Sequence, residues 1–312
     1  MALLTVGVLA AETPALTLLV GNKDENTLAF VDPATGKVLG RVPTGDGPHE
    51  VAASADGRLA FVANYGTGPN PGNSISVIDV VNMKEIRKVN LGPMRRPHGL
   101  AVADGKLYFT AEANRIVGRY DWVANQFDWA MGTGQNTTHM VLVSKDGTVF
   151  TANIGSDTIT MIDRTGITAV PVGKGPEAMD LSPDGRELWT GHSRDGGVSI
   201  IDVAAKKVIA TVSLGTKRSN RLKFTPDGKR VLLTDLDAGE LLVLDAPARK
   251  EITRLRLGKS PEGILMAQDG AHAYVCVAGD DRIDIVNLKT LQVTGHLTTG
   301  KGPDGMAWAD RR

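Results

Sequence analysis

The chain has 312 residues, and its 35 basic and 35 acidic side chains give a formal net charge of zero. This balance argues against a nucleic-acid partner, because proteins that neutralise phosphates normally carry a basic excess. The single cysteine, Cys276, lies in an apolar run, so we expect a buried small side chain and no disulfide.

The first residues are apolar and end in small side chains. Residues 1–11 read MALLTVGVLAA, which is typical of the hydrophobic part and cleavage site of a secretory signal peptide, although the positively charged start is absent. We therefore expect residues 1–14 to be a signal-peptide remnant or a disordered N-terminus. The segment is too short to cross a bilayer, so no membrane span is expected and the predicted location is periplasmic or secreted.

From residue 15 onward the chain consists of repeated strand pairs joined by Asp-Gly turns. Residues 48–64, PHEVAASADGRLAFVAN, show the pattern of an apolar run, a turn and a second apolar run. The turns recur at intervals of 38 to 48 residues, at Asp56, Asp104, Asp146, Asp184, Asp227 and Asp269. A period near 40 residues with such strand pairs is typical of one blade of a β-propeller, and it favours a single domain over residues 15–312.

The two ends of the chain complete each other. Three strands are predicted at residues 16–21, 27–32 and 37–43, before the first full unit begins, and residues 303–309 (PDGMAWA) match the innermost strand that this opening group lacks. The sequence therefore predicts an all-β fold, a seven-bladed β-propeller of four-stranded blades. The C-terminal strand is expected to pair with the three N-terminal strands and close the ring.

One segment departs from the regular unit. Residues 64–74, NYGTGPNPGNS, are rich in Gly and Pro and predict an irregular loop without regular structure. Such a loop is either a lid over the end of the channel or a tolerated surface insertion.

Several segments resemble the YVTN-repeat β-propeller family. They are residues 61–64 (FVAN), 150–153 (FTAN) and 274–277 (YVCV), which accompany Pro-(His/Glu/Asp)-Gly and Asp-Gly elements. The resemblance covers nearly the whole chain and implies a seven-bladed propeller that is usually exported from bacteria. It implies no single activity, because similar propellers serve as binding scaffolds, lactonases, lyases and haem- or metal-carrying oxidoreductase domains.

Alignment of the seven innermost strands places one polar residue from each at the same position beside the central channel. These residues are His49, His98, His139, Glu177, Asn220, Glu262 and Asp304. Three histidines on consecutive blades predict a site for a divalent transition metal such as Cu, Fe or Zn, with Glu177 as a further ligand or a base. Two alternatives need no metal: a polar ligand site, and side chains that only bind loop backbones or channel water.

A second set of polar residues lies where the second strand of a unit ends, on the same face. It includes Asn64, Glu112, Asn153 and His192. The first three are expected to bind a ligand together with Asn220, Glu262 and Asp304, and His192 is expected to act with Glu177 in catalysis. Cations in the loops that lead into innermost strands, Arg96 and Arg218 among them, could attract a small anionic ligand or could simply be solvated.

Three functions are compatible with this pattern. The first is an exported, monomeric scaffold that binds a small ligand or a metal, or a protein partner, at the channel mouth; it is favoured because no nucleophile elbow, reactive cysteine or phosphate-binding loop is present. The second is a metal-dependent oxidoreductase or hydrolase with a three-histidine site. The third is a lactonase-like hydrolase.

Overall fold

A computed structural model describes residues 13–312 of the chain. Most of the predicted signal-peptide remnant, residues 1–12, therefore lies outside the described residues. Thr13 and Pro14 are described, and the Arg311 guanidinium donates hydrogen bonds to both of them. In the part of the chain from residue 13 onward, no helix is long and apolar enough to cross a membrane.

The described residues form seven four-stranded antiparallel sheets. The first fourteen strands are β1 (Leu16–Asn22), β2 (Thr27–Val31), β3 (Val38–Pro43), β4 (Pro48–Ala53), β5 (Leu59–Gly66), β6 (Pro71–Asp79), β7 (Lys84–Asn90), β8 (Pro97–Ala103), β9 (Lys106–Ala111), β10 (Ile116–Asp121), β11 (Gln126–Gly132), β12 (Thr138–Val143), β13 (Val149–Asn153) and β14 (Thr158–Asp163). The remaining strands are β15 (Gly166–Pro171), β16 (Pro176–Leu181), β17 (Glu187–His192), β18 (Gly197–Asp202), β19 (Lys207–Ser213), β20 (Ser219–Phe224), β21 (Arg230–Asp235), β22 (Glu240–Asp245), β23 (Lys250–Arg256), β24 (Pro261–Met266), β25 (His272–Val277), β26 (Arg282–Asn287), β27 (Gln292–Leu297) and β28 (Pro303–Asp310). Two short 3₁₀ helices, Glu112–Asn114 and Ala278–Asp280, follow β9 and β25.

Burial along the strands follows from the stacking of blades around an axis. In most blades the two middle strands, such as β21 and β22, are buried at almost every position because neighbouring blades cover both of their faces. The outer strand β19 instead alternates between exposed and half-buried residues, as expected when one face meets solvent. The core lies between blades, where Trp189 on β17 packs against Phe224 of the next blade with ring centroids 5.5 Å apart.

The ring closes as the sequence predicts. Strand β28 pairs antiparallel with β1, with Leu18 opposite Trp308 and Leu16 opposite Asp310. The Trp308 indole also donates a 2.8 Å hydrogen bond to the Met266 carbonyl in the neighbouring blade. Seven four-stranded blades and this closing strand confirm the predicted fold class.

The prediction of an irregular loop at residues 64–74 is wrong, because this segment is an extended hairpin. Strand β5 continues to Gly66 and β6 begins at Pro71, with Asn64 opposite Ser74 and Gly66 opposite Pro71. Gly66 has a φ of +87°, which a side chain would strain. The Gly and Pro residues here allow a tight turn and a close backbone approach, so they do not mark the end of strand pairing.

Candidate functional site

The seven aligned polar residues occupy one backbone position. Each is the second residue of an innermost strand, and the innermost strands pack against one another around the axis. The antiparallel register shifts at this point in every blade, so the start of each inner strand bulges away from its partner. A bulge bends the strand and re-aims its side chains, which explains why all seven face the channel.

These seven side chains line one cavity of about 510 Å³ at the mouth of the channel. Further lining residues include Lys23, Tyr65, Glu112, Arg218 and Arg221. We call this space the mouth cavity. Its volume falls in the range of roughly 300–1,000 Å³ that is usual for sites of small molecules.

One wall of the mouth cavity consists of aromatic rings. The His98 and His139 ring centroids lie 3.6 Å apart with their planes tilted by 32°, and the His49 ring meets His98 edge-on at 5.1 Å. Tyr65, from the extended hairpin, packs on His49 at 4.5 Å and on His98 at 5.5 Å. The hairpin therefore supplies a side chain that covers two of the histidines.

The His98 and His139 imidazoles are buried, and three of their nitrogens have no hydrogen-bond partner within residues 13–312. His98 is 3% exposed and His139 is 7% exposed. His98 Nδ1 and His139 Nε2 make no hydrogen bond, whereas His49 Nδ1 pairs with the Gly47 carbonyl at 2.9 Å. Burial first, and then the nearby charge of His139, hold the pKa of His98 well below its usual value, so this ring is neutral at pH 7.

Two carboxylates lie beside the histidine wall. Glu112 accepts a hydrogen bond from the Tyr65 hydroxyl, and its second oxygen lies 3.4 Å from His139 Nδ1. On the next inner strand, β16, Glu177 Oε1 accepts a 2.8 Å hydrogen bond from the Asn220 amide. Burial would raise the pKa of Glu112, but its contacts with His139 and Tyr65 outweigh burial and lower it.

Buried ion pairs form the floor of the mouth cavity. Lys23 Nζ lies 2.5 Å from Glu262 and 3.4 Å from Asp304. The Arg221 guanidinium lies 2.5 Å from Glu50 and 3.5 Å from Asp304 Oδ1, which makes no hydrogen bond within the described residues.

The two floor acids titrate in opposite directions. Burial, followed by the charge of Asp304, raises the pKa of Glu262 to about 8. Burial would also raise the pKa of Asp304, but Lys23 and Arg221 outweigh burial and hold it far below its usual value. One shared negative charge therefore resides on Asp304 at neutral pH, while Glu262 is largely protonated.

Four residues proposed for the site from the sequence do not line the mouth cavity. Asn64 binds Ser76 at 3.1 Å and the Gly45 amide at 2.9 Å, and Asn153 binds Thr160 at 2.9 Å. His192 Nδ1 pairs with Asp195 at 2.7 Å. Arg96 lies over the outer face of Tyr65, 4.8 Å from the ring centroid. Their side chains hold neighbouring loops in place, because strand-end polar groups find backbone and hydroxyl partners close by.

The structure shows no preformed transition-metal centre among residues 13–312, where no group of three or more His, Cys, Asp or Glu side chains is placed to hold one ion. The His98 and His139 ring centroids lie 3.6 Å apart with the planes tilted by 32°, whereas the ligands of a tetrahedral metal converge on a point from separate directions.

Among the side chains of this site that the sequence pattern missed are Lys23, Tyr65 and Arg221. Lys23 lies in the connection after β1, and Tyr65 lies in the extension of β5 beyond the regular repeat, so the repeat gave no signal for them. Arg221 is a charged residue within the innermost strand β20, and it pairs with Glu50.

Comparison with known proteins supports the fold. No family model matches the chain, and no curated protein matches it in sequence. Hydrazine synthase of Kuenenia stuttgartiensis is similar in structure, with a TM-score of 0.78 and 19% identity over 88% of this chain and 93% of that one. A periplasmic gluconolactonase of Pseudomonas aeruginosa gives a TM-score of 0.75 and 17% identity over 94% and 98% of the two chains. The dihydro-heme d1 dehydrogenase NirN gives 0.67 and 15% over 95% and 75%. At these identities the likeness shows the propeller fold alone.

Proposed function

We propose that the protein binds a small polar molecule in the mouth cavity, as a ligand-binding propeller. The observation that carries this proposal is the set of buried, unpartnered polar atoms on the cavity wall, His98 Nδ1 and His139 Nε2 above all. Leaving such an atom buried without a partner costs about 1–3 kcal/mol. A ligand that hydrogen-bonds these nitrogens would recover that free energy.

The test is a binding screen with a matched pair of variants. Thermal-shift measurements with a set of small amines, polyols and carboxylic acids identify compounds that stabilise the protein, and calorimetry gives their affinities. We expect His139→Ala to weaken binding by at least about tenfold, since one charge-assisted or buried hydrogen bond contributes roughly 1.5 kcal/mol. His272→Ala, outside the mouth cavity, should bind as the wild type does. Equal affinities in the two variants would contradict the proposal.

The transition-metal site stays a prediction, with its own measurement. Untagged protein is incubated with Cu, Zn or Fe salts, passed through a desalting column and analysed for metal, beside a His98→Ala variant. One ion per chain in the wild type and none in the variant would support the three-histidine site. A metal stoichiometry near zero in both the wild type and the variant would contradict the predicted metal site.

Lactonase activity and export also stay predictions. The gluconolactonase of Pseudomonas aeruginosa shares the fold at 17% identity, which carries no activity to this chain. Turnover of a lactone panel, with and without chelator, tests the first. Fractionation of cells that express the full chain, followed by detection in the periplasm or the medium, tests the second.

A further inference from the structure

We infer that the ligand of the mouth cavity is a small organic amine that carries several N–H donors. This inference deepens the proposed function and rests on it. Four observations support it: two carboxylates without a buried cationic partner among the described residues, the pairing of the available cations, the unmet acceptors, and the size of the cavity.

Two carboxylates of the mouth cavity lack a buried cationic partner among the described residues. Glu112 has no lysine or arginine within salt-bridge distance there, and its close titratable neighbours are Tyr65, which donates a hydrogen bond to it, and His139, at 3.4 Å. Glu177 has Arg218 at 3.8 Å, and the Arg218 side chain is 47% exposed. These two acids place negative charge beside the histidine wall.

The other cations of the mouth cavity already pair with acidic residues. Lys23 lies within salt-bridge distance of Glu262 and Asp304, and Arg221 within salt-bridge distance of Glu50 and Asp304. Arg194 reaches outward, where it donates to Asp157 and to the Ile154 carbonyl. An anionic ligand would thus meet carboxylates without a free cation deep in the site, and like charges that close repel strongly. The anionic ligand expected from the loop cations is disfavoured for this reason, since of the residues proposed at the rim only Arg218 lines the cavity.

The unpartnered atoms of the cavity act as acceptors, so they require a ligand that carries hydrogen-bond donors. Asp304 Oδ1 can only accept a hydrogen bond while Asp304 is ionised, and a neutral imidazole has one acceptor nitrogen. His139 Nδ1 lies 3.4 Å from the Glu112 carboxylate, so a proton on Nδ1 would face that carboxylate and leave Nε2 as an acceptor. An ammonium group offers three hydrogen-bond donors and a positive charge. It can therefore bond to the unpartnered acceptors and also compensate the negative charge of the carboxylates.

The size of the cavity favours an organic amine over a bare metal cation as the ligand. The acceptors surround a cavity of about 510 Å³ and are not grouped closely enough for three of them to hold one ion. Both Glu112 and Glu177 line this cavity, so a molecule with donors at two ends could contact both carboxylates.

The experiment compares three four-carbon probes of similar length: butane-1,4-diamine, butane-1,4-diol and succinate. Calorimetry at pH 7 should show binding of the diamine, at least about tenfold weaker binding of the diol, and no binding of succinate. Glu177→Gln should weaken diamine binding by about tenfold or more and leave the diol unchanged, because only the charged probe interacts with the lost charge. Glu251→Gln is the matched control, since Glu251 is an exposed acid on the outer strand β23.

Each outcome decides between the inference and the proposed function. If the diol or succinate binds as tightly as the diamine, and His139→Ala abolishes that binding, the amine inference is overturned while the proposed function stands. If none of the three binds and the broader screen finds no ligand that depends on His139, both are overturned. Diamine binding that is unchanged in Glu177→Gln and His139→Ala lies outside the mouth cavity and also overturns the inference.

Discussion

Glu262 is a buried acid that the fold keeps largely protonated at neutral pH. The titratable and charged groups that face it are Lys23 from the β1–β2 connection, Arg221 from β20, Cys276 from β25 and Asp304 from β28. Burial and the neighbouring charge of Asp304 outweigh Lys23, so the pKa rises from 4.5 to about 8. The unfolded chain therefore releases this proton more readily than the folded one does.

This difference predicts a pH dependence of stability. Between about pH 4.5 and pH 8 the unfolded state binds fewer protons at this position, so the free energy of unfolding falls as pH rises, by at most about 1.4 kcal/mol per pH unit. Below this window the full stability is present. The effect of Asp304 lies at lower pH, because its pKa is depressed.

Urea denaturation at several pH values measures how the free energy of unfolding depends on pH. Glu262→Gln cannot titrate, so we expect its stability curve to be flatter than that of the wild type between pH 5 and pH 8. Parallel curves would show that Glu262 titrates normally in the folded protein. Glu251→Gln again serves as the control for a change of charge at the surface.

At the scale of elements, the extended hairpin of β5 and β6 brings Tyr65 to the histidines. Its turn depends on close backbone packing, since a methyl group added to Gly66 would come within 2.1 Å of the Gly72 nitrogen. Gly68, in the same turn, faces open space. The two glycines therefore form a matched pair with different expected costs.

We predict that Gly66→Ala lowers the free energy of unfolding by about 1–3 kcal/mol, because a side chain is strained at this positive φ and also clashes with the backbone. It should also weaken ligand binding, since Tyr65 is displaced from His49 and His98. Gly68→Ala should have little effect on either quantity. Urea denaturation measures the stability of both variants, and calorimetry measures their ligand affinity. Equal stabilities of the two variants would contradict the role assigned to the turn.

The sequence predicted the strands of the repeat and the ring position well, but it missed side chains that lie outside the aligned repeat positions. The ring was predictable because all seven residues occupy the same place in each repeat, so alignment alone brings them together. Lys23 lies in the β1–β2 connection, and Tyr65 lies in the hairpin extension of β5 and β6, which the other blades lack. Asn64 and Asn153 were expected at the site from strand direction, but their amides find hydroxyl partners within their own blades.

At the scale of the whole molecule, the fold depends on strand β28. This strand completes the first blade, covers the edge of β1 and contributes Asp304 to the mouth cavity. Without it, β1 would present an open edge, which is a template for pairing with other chains. The period of the repeat made this closure predictable, because the missing strand and the surplus strand match in sequence.

We predict that deletion of residues 303–312 abolishes cooperative unfolding and produces aggregates. Thermal denaturation followed by circular dichroism and size-exclusion chromatography measure the two effects. Deletion of Arg312 alone is the control, because this residue is exposed and its partners among residues 13–312 are Asp310 and Gln268 at the surface. A monomeric, cooperatively unfolding protein without residues 303–312 would show that six complete blades and an open edge suffice.

The shared backbone position of the seven ring residues has a consequence for protein engineering. A bulge at the same point of every inner strand directs one side chain into the same cavity. The ring therefore offers seven positions at which side chains can be varied on one backbone. Exchange of a residue at one position would change the chemistry of one wall and leave the strand pairing of its blade intact. New specificities could therefore be selected by combinatorial replacement at these seven codons, without redesign of the propeller.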